Sequence, residues 1–358
     1  MSRNESVDVL RKKIDQIDEK VVDLLNDRAA LALRIGQSKS LSNQEVYVPN
    51  REQEILRRLS DLSRGPLPAA TIRSIYREVI SGCRSLEAPL QVVFFGAEAT
   101  YSHLAAKEKF GSGADLRPSA SIPEVFQEVT QERASFGVVP IENSTEGVVA
   151  HTLDCLVESD LQICGEMFLD IHHNLLSRSG RAEDIRRIVS HPQALAQCRG
   201  WVTAHFPNIT VEEVASTAHA AIAASKDNGV AAISSALARE VYGLELVAAN
   251  IEDRSNNITR FLVIGKLNTK PSRRDKTSLV FSAKDKPGVL YQMLQPFAKS
   301  RINLCKIESR PIKNKPWEYL FFLDLLGHRE QPTVKQALAS LEKNCVFFKI
   351  LGSYPSGR

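Results

Sequence analysis

The strongest constraint on the fold is a proline-free stretch from Val7 to about Leu41 in which apolar residues recur at helical spacing. The recurring positions are Leu10, Ile14, Ile17, Val21, Leu24, Leu31 and Ile35. This pattern predicts one long amphipathic helix. At ~1.5 Å per residue the helix would be ~50 Å long, too long for the ~50 residues between it and Pro89 to cover. We therefore expect a second copy of the chain to help bury it.

Two shorter helical patterns follow, one after Pro49 through Leu59 and one from about Pro68 to Leu86. The breaker stretch SRGPLP separates them, so residues 1–88 are predicted to form an all-α domain of three helices. Beyond Pro89, short β-rich runs such as VVFF at 92–95 and FGVVPIE at 136–142 alternate with helical patterns. This alternation predicts an α/β domain over 90–266.

A third domain is predicted over 277–358, after a linker at 266–276 that is rich in Lys, Arg, Asn and Pro. Its pattern is strand, DKPG turn, helix, two strands, a helix from Pro332 and a last strand. This βαββαβ order is ferredoxin-like, and such modules often bind a small ligand or pair with themselves.

Composition narrows the class of protein. The 358 residues are 43% hydrophobic and 25% charged, which is typical of globular domains. The net charge of +4 is small and the two signs are mixed, so we expect no nucleic-acid partner. The polar amino terminus and the absence of a long apolar stretch predict a cytoplasmic protein without a membrane partner. Six scattered cysteines without a CxxC pair favour reduced thiols, and we expect no metal and no cofactor.

A set of cations marks the helical domain as a candidate site. Arg28 interrupts the apolar stripe, and Lys39 lies eleven residues further on, which is about 20° around the helix. Arg11 points about 100° away from Arg28, a direction that would suit reaching a partner's site. A single helical arginine is usually solvated. Together with Arg51 and Glu52, however, the set resembles the active site of the all-helical chorismate mutases.

That resemblance implies a pericyclic rearrangement of chorismate to prephenate, which needs a site that holds a dicarboxylate and stabilises charge on the ether oxygen. Arg28 and a partner's Arg11 would bind the carboxylates with support from Arg51. Lys39 would donate to the ether oxygen, and Glu52 would act near the substrate hydroxyl.

Two positions of the helical domain depart from some members of that family. Val48 stands where some have aspartate, so one hydroxyl contact is missing or is made by Glu52 alone. Glu87 stands where some have glutamine, and it continues the apolar stripe that includes Ile80 and Cys83. Facing the ether oxygen, Glu87 could help only as a neutral donor. The alternative is an exposed glutamate in the last helical turn.

Three stretches of the middle domain together resemble prephenate dehydratase: GVVPIENSTEG at 137–147, SHPQALAQC at 190–198 and NNITRFLVIG at 256–265. The resemblance extends from about Leu90 to Lys266. Each stretch ends a β-run with small polar residues that can cap a helix and present backbone amides to an anion. The stretches are expected to converge in a cleft between two α/β lobes.

The dehydratase resemblance implies roles for these loops. Thr259 would lie at the leaving hydroxyl of prephenate, with Arg260 and Phe261 shaping and charging the pocket. The other expected contacts are Glu142, Asn143, Ser144, Thr145, Ser190 and Gln197, with His191 nearby. Either Thr259 or Glu142 could be the proton donor, and His191 could equally be a helix cap. The first loop, GAEAT at 96–100, departs from the usual family pattern.

The carboxy-terminal motifs DKPGVL at 285–290 and ESRP at 308–311 resemble the phenylalanine-binding ACT domain. The implied ligand residues are Gly288, Val289, Leu290, Glu308, Ser309, Arg310 and Pro311. The whole chain thus resembles the bifunctional chorismate mutase/prephenate dehydratases, inhibited by L-phenylalanine and assembled as a homodimer or higher oligomer. Deleting 271–358 should then remove inhibition before activity. Alternatives are an ACT module that only dimerises, an arogenate dehydratase, or an amino-acid sensor without catalysis.

Overall fold

The computed structural model describes residues 6–42, 47, 49–284, 286–311 and 319–357, without the side chains of residues 39–42. The chain forms two compact units. The helical unit comprises Met1–Leu90 and Phe110–Asp115, and the α/β unit comprises Gln91–Lys109 and Leu116–Arg358. Among the described residues, none of the helices combines the length and the apolarity that crossing a lipid bilayer requires.

The helical unit contains the three expected helices, α1 (Val7–Ser42), α2 (Pro49–Leu62) and α3 (Ala69–Glu87). Helix α3 packs against both others. The predicted apolar stripe of α1 is between 46% and 66% exposed in the single chain. Its positions alternate by four and three residues from Leu10 to Ile35, with Arg28 completing the series. This 3.5-residue period is typical of a seam that packs against another helix.

The described residues of the α/β unit form three sheets. The first has the order β2-β1-β3-β11-β5, with β4 paired to β3. Its strands are β1 (Leu90–Phe95), β2 (Ala114–Ser119), β3 (Phe136–Asn143), β4 (Gly147–Val148), β5 (Gln162–Asp170) and β11 (Ile258–Gly265). The helices among them are α4 (Tyr101–Phe110), α5 (Ile122–Thr130) and α6 (Ala150–Glu158).

The second sheet has the order β10-β6-β9-β7-β8. Its strands are β6 (Asn174–Ser177), β7 (Arg187–Ser190), β8 (Thr210–Glu213), β9 (Val230–Ser234) and β10 (Glu245–Ala248). The helices are α7 (Pro192–Gln197), α8 (Arg199–His205), α9 (Thr217–Lys226) and α10 (Ala236–Tyr242). Every residue of the central strand β9 is buried, which explains its uninterrupted run of small and apolar residues.

The third sheet is antiparallel with the order β13-β14-β12-β15, as the ferredoxin-like pattern predicts. The elements are β12 (Asp275–Ser282), α11 (Val289–Lys299), β13 (Leu304–Pro311), β14 (Tyr319–Leu326), α12 (Pro332–Glu342) and β15 (Phe347–Pro355). We call this part the C-terminal module. The linker is shorter than predicted, because β12 already begins at Asp275 and the side chain of Lys276 is buried.

The C-terminal module shares a core with the first sheet. Val280, Phe322 and Leu351 of the module belong to the same buried cluster as Leu262 and Ile264 of β11. At Gly352 there is no room for a side chain, because an added Cβ would overlap the backbone of β5 at Ile163. The two sheets therefore pack at close range as one body of the α/β unit.

Candidate active sites

In the helical unit, α1 and α3 meet at two of the predicted residues. The Arg28 guanidinium lies 3.5 Å from the carbonyl oxygen of Val79. A Cβ placed on Gly36 would be 2.9 Å from Cγ of Glu87, so the glycine allows the end of α3 to approach α1. Glu87 is half-buried, which agrees with the expected inward direction. Lys39 follows Gly36 by three residues, but its side chain and Val48 lie outside the described residues.

Glu52 is held by a cation that was not among the candidates from sequence. Arg84 of α3, only 5% exposed, forms an ion pair with Glu52 of α2 and donates to the Phe110 carbonyl at 2.6 Å. Its guanidinium also lies 5.2 Å from the ring centre of Tyr47. The signal was present in the sequence, since Arg84 follows Ile80 by four residues and continues the apolar stripe of α3, as Arg28 does in α1.

The two remaining arginines of the predicted mutase set are exposed. Arg51 pairs with Glu54 one turn further along α2, at 2.9 Å. Arg11 lies 3.7 Å from Asp8 on α1, and its side chain is 73% exposed. Neither guanidinium is buried against the residues that surround Arg28 or Glu52 in the single chain.

In the α/β unit, strand pairing brings Thr259 and Asn143 together. They are directly opposite each other on the antiparallel strands β11 and β3, so their side chains lie on one face of the first sheet, which we call the front face. Asn143 Nδ2 donates to Thr259 Oγ1 at 2.7 Å. Since the amide nitrogen can only donate, Thr259 accepts this bond and its own hydroxyl proton can be offered to a ligand.

The amide of Asn143 is held in one orientation. Its Oδ1 accepts from the backbone N–H groups of Thr145 at 2.9 Å and Glu146 at 3.0 Å, so the loop after β3 turns around it. Its second Nδ2 hydrogen goes to Asn257 Oδ1 at 2.7 Å. A rotated amide would place Nδ2 against these backbone donors.

A chain of hydrogen bonds extends this arrangement through the predicted residue Gln197 to Asn257, His173 and Tyr101, which were not among the candidates from sequence. Asn257 Nδ2 donates to Gln197 Oε1 at 2.9 Å, and His173 Nε2 lies 2.8 Å from the same oxygen. Because Gln197 Oε1 only accepts, His173 carries a proton on Nε2. Its Nδ1 lies 2.8 Å from the hydroxyl oxygen of Tyr101, which donates to the His172 carbonyl at 2.9 Å. Burial lowers the pKa of His173, so its ring is neutral at pH 7.

Other predicted residues of these loops hold the backbone. Ser190 is fully buried and donates to the Ile233 carbonyl at 2.6 Å, so its hydroxyl is already used within the second sheet. Ser144 Oγ accepts from the Ile258 N–H at 2.9 Å. His191 caps α7, because its Nδ1 accepts from the Gln193 N–H at 3.3 Å. The helix cap that was one of the two expectations for His191 is thus present.

Glu142 and Arg260 are placed differently from the expectation that they line the substrate pocket with Thr259. Glu142 directly precedes Asn143, and Arg260 directly follows Thr259. Successive side chains of a strand point to opposite faces of the sheet. Both therefore lie on the rear face, where Glu142 pairs with Lys306 at 2.6 Å and Arg260 pairs with Asp324 at 2.6 Å. Phe261 is 2% exposed, beyond an irregularity in the β3 pairing.

The predicted effector residues divide between a helix start and an edge strand. Gly288 has φ +76°, a left-handed conformation that glycine tolerates, immediately before Val289 and Leu290 open α11. The ESRP residues Glu308, Ser309, Arg310 and Pro311 end β13 at the edge of the sheet. Arg310 is turned toward α6, where it pairs with Asp154 at 2.6 Å. Asp285 lies outside the described residues.

Comparison with known proteins covers nearly all of the chain. Residues 10–88 match the family model for chorismate mutase type II, 92–269 that for prephenate dehydratase and 277–343 that for the ACT domain. A bifunctional chorismate mutase/prephenate dehydratase from Aquifex aeolicus (strain VF5) is 47% identical over 355 residues, which are 98% of each chain.

Two solved structures each match about three quarters of the chain. Prephenate dehydratase from Arthrobacter aurescens in complex with L-Phe is 33% identical, with a TM-score of 0.68 over 74% of this chain and 90% of that chain. GqqA, described as a novel type of quorum quenching acylase, is 32% identical with a TM-score of 0.69, over 74% and 97%. With the three family matches in this order, the chain belongs to the family of bifunctional chorismate mutase/prephenate dehydratases.

Proposed function

We propose that the helical unit converts chorismate to prephenate and that the α/β unit converts prephenate to phenylpyruvate, under inhibition by L-phenylalanine bound to the C-terminal module. The observation that carries the second reaction is the Thr259–Asn143 pair. Its hydrogen-bond direction leaves the threonine hydroxyl as a donor at the front face. The six cysteines, all thiols, suit a reducing compartment, and we place both reactions in the cytoplasm.

The dehydratase reaction needs little covalent chemistry from the protein. The ring carboxylate of prephenate leaves as carbon dioxide, and its bonding electrons enter the ring and expel the 4-hydroxyl, which takes a proton to become water. Aromatisation drives the step. Thr259 donates to the departing oxygen and so stabilises the negative charge that develops there. Glu142, the other candidate donor, lies on the rear face beside Lys306, and we therefore assign this role to Thr259.

Substrate contacts are proposed for the polar groups that adjoin Thr259. Thr145 is exposed at the tip of the loop after β3, and Gln197 Nε2 lies 3.3 Å from its hydroxyl. Gln197 Nε2 can exchange this bond for one to a substrate carboxylate, and Thr145 can turn to the carboxylate the hydroxyl proton that it donates to Asn143 Oδ1. Ser144 and Ser190 support the loops, Phe261 packs beneath the site, and His191 starts α7 beside Gln197.

In the helical unit, Arg28 and Lys39 would bind a carboxylate and the ether oxygen of chorismate, with Glu52, Glu87 and Arg51 around them. Arg11 and Arg28 of one chain are seventeen residues apart, or ~25 Å along the helix, which is too far for one small substrate to contact both. Arg11 must then come from a second copy. The seam of α1 supports such a homodimer, because its apolar side chains remain 46% to 66% exposed in the single chain.

The test compares Thr259→Ala with Thr259→Ser in the full-length protein. Alanine should lower phenylpyruvate release from prephenate by ~100-fold or more, since the donor to the leaving group is lost, whereas serine should retain most of it. Mutase turnover of the same preparations is the control and should not change. Wild-type turnover of arogenate but not prephenate would indicate an arogenate dehydratase, and ligand binding without either product would indicate a sensor.

A further inference from the structure

The rear face of the first sheet carries a buried group of charges directly behind the Thr259–Asn143 pair. Arg260 Nε donates to Glu166 Oε2 at 2.8 Å on β5, and Lys276 Nζ of β12 donates to Glu166 Oε1 at 2.7 Å. The side chains of all three residues are at most 8% exposed. Asp324 of β14 completes the group, so two cations face two carboxylates.

Arg260 is the centre of this group. Its guanidinium donates to partners on three strands, namely Glu166 on β5, Asp324 on β14 at 2.6 Å and the Tyr354 hydroxyl on β15 at 3.0 Å. The planar guanidinium holds these donors in a rigid arrangement, so the three strands and β11 are fixed relative to one another. Burial alone would lower the pKa of Arg260, but Tyr354, Asp324 and Glu166 outweigh it and raise the pKa, which keeps the group charged.

The partner strand β3 is held from the same side. Glu142, adjacent to Asn143, accepts from Lys306 Nζ of β13 at 2.6 Å. The Lys306 side chain is 15% exposed and that of Glu142 is 39% exposed. Lys306 precedes the ESRP residues of the same strand by two positions. Each residue of the front-face pair thus has a neighbour on its own strand that is anchored in the C-terminal module.

We propose that Arg260 and Lys306 are positioning residues of the dehydratase reaction. Arg260, through Asp324, sets the position of Thr259, and Lys306, through Glu142, sets the position of Asn143. The hydrogen bond between Thr259 and Asn143 then depends on how β13 and β14 lie against β3 and β11. A ligand that shifts these module strands changes the geometry of the pair without entering the substrate site. This inference rests on the proposed dehydratase function.

The test uses two conservative variants in the full-length protein. Asp324→Asn removes the charge opposite Arg260 with little change in shape, and Lys306→Met removes the ammonium group that holds Glu142. Lys335→Met is the matched control, because Lys335 is exposed on α12 of the same module. For each protein, kcat and KM for prephenate, the L-phenylalanine concentration giving half inhibition, mutase turnover and thermal unfolding are measured.

We expect kcat for prephenate to fall roughly tenfold to 100-fold in both variants, because small displacements of catalytic groups cost rate steeply. KM should change by less than about twofold, since binding in the ground state is kept. Half inhibition should require several-fold more L-phenylalanine, while mutase turnover and the Lys335→Met protein remain as wild type. If Asp324→Asn does not fold, the inference is tested with Lys306→Met and with the double variant Glu142→Lys/Lys306→Glu, in which the two charges are exchanged. The double variant should restore kcat relative to Lys306→Met.

Folded Asp324→Asn and Lys306→Met proteins with wild-type kcat and inhibition would overturn the inference. So would variants that lose thermal stability alone, because a merely structural role would leave the response to L-phenylalanine unchanged. If the wild-type protein released no phenylpyruvate from prephenate, the proposed function would fail instead, and the two failures are therefore distinguishable.

Discussion

At the residue scale, Asn143 decides what Thr259 can do. An amide offers two donors on one atom, and Asn143 uses both, toward Thr259 and Asn257. Its oxygen is occupied by the loop amides of Thr145 and Glu146. A carboxylate of the same shape would keep the loop contacts but could no longer donate to the threonine.

We therefore predict that Asn143→Asp lowers dehydratase kcat by ~100-fold or more, since Thr259 would donate to the new carboxylate rather than to the leaving hydroxyl. The loop should stay folded, and mutase turnover should not change. Steady-state rates with prephenate and with chorismate measure both effects. Dehydratase activity near wild type would show that the direction of this hydrogen bond does not matter.

His173 gives a prediction about acid stability. Burial lowers its pKa in the folded protein below the ordinary value of ~6.5, so the unfolded chain binds a proton more readily. The free energy of unfolding should therefore decrease as pH falls below ~6.5 and level off below the folded pKa. His173→Gln should lose less stability than wild type between pH 7.5 and pH 5.5, as measured by calorimetry.

His103 also contributes to the decrease in stability at acid pH, because burial lowers its pKa and it remains in the variant. The acid response of His173→Gln should thus be reduced rather than abolished. Identical changes in the two proteins between these pH values would mean that His173 takes up no additional proton on unfolding. Its neighbours Tyr101, His172 and Glu252 are unchanged in both proteins.

At the scale of elements, two helix ends carry a glycine in the left-handed conformation. One glycine lies at the start of α11 in the C-terminal module and the other at the end of α10. Gly288 has φ +76° and Gly243 has φ +63°, and a Cβ at either position would meet nothing within 4 Å. Alanine at either site is therefore strained only through its backbone. Alanine substitution at the two glycines therefore allows the effect of backbone strain to be distinguished from an effect on ligand binding.

We predict that Gly288→Ala and Gly243→Ala each cost about 1–2 kcal/mol of folding free energy. Only Gly288→Ala should raise, by several-fold, the L-phenylalanine concentration needed for half inhibition, because it alters the proposed effector site. Denaturant unfolding and inhibition curves measure the two effects. If L-phenylalanine inhibited both variants equally, the effector site would not lie at the start of α11.

At the scale of the whole molecule, the seam of α1 requires a partner. We predict that Leu24→Lys, at a seam position that is 66% exposed in the single chain, lowers mutase turnover by more than ~10-fold, because a charge in the seam opposes helix pairing. Asn26→Lys, two residues away on the opposite side of the helix, is the control and should retain activity. Sedimentation and chorismate turnover test both. Full mutase activity in Leu24→Lys would contradict a dimer through this seam.

The shared core of the α/β unit changes the expectation for truncation. Removing residues 271–358 would take Lys276 and Asp324 away from Glu166 and Arg260 and leave two buried charges without these partners. It would also uncover apolar residues that pack under the module, such as Leu262. We now expect truncation to lower dehydratase activity together with inhibition, so variants such as Gly288→Ala locate the effector site better.

Local patterns were sufficient for many features of this protein. The period of α1 and the alternation of strands and helices depend on neighbouring residues, and they predicted the all-α domain, the α/β domain and the βαββαβ module. Thr259 and Asn143 were proposed as site residues from their sequence motifs. The placement of Thr259 and Arg260 on opposite faces of the sheet could have been predicted as well, because consecutive side chains along β11 point to opposite faces.

Tertiary structure decided which groups meet. His173 bonds to Tyr101 from 72 positions away, Glu166 meets Lys276 across 110 positions, and Glu142 meets Lys306 across 164. No local period encodes such pairs, since they depend on strand order and register, which only the packing of whole sheets sets. The sequence by itself therefore determined the elements and the candidate residues. The folded chain determined which of them lie on the front face and which anchor that face to the C-terminal module.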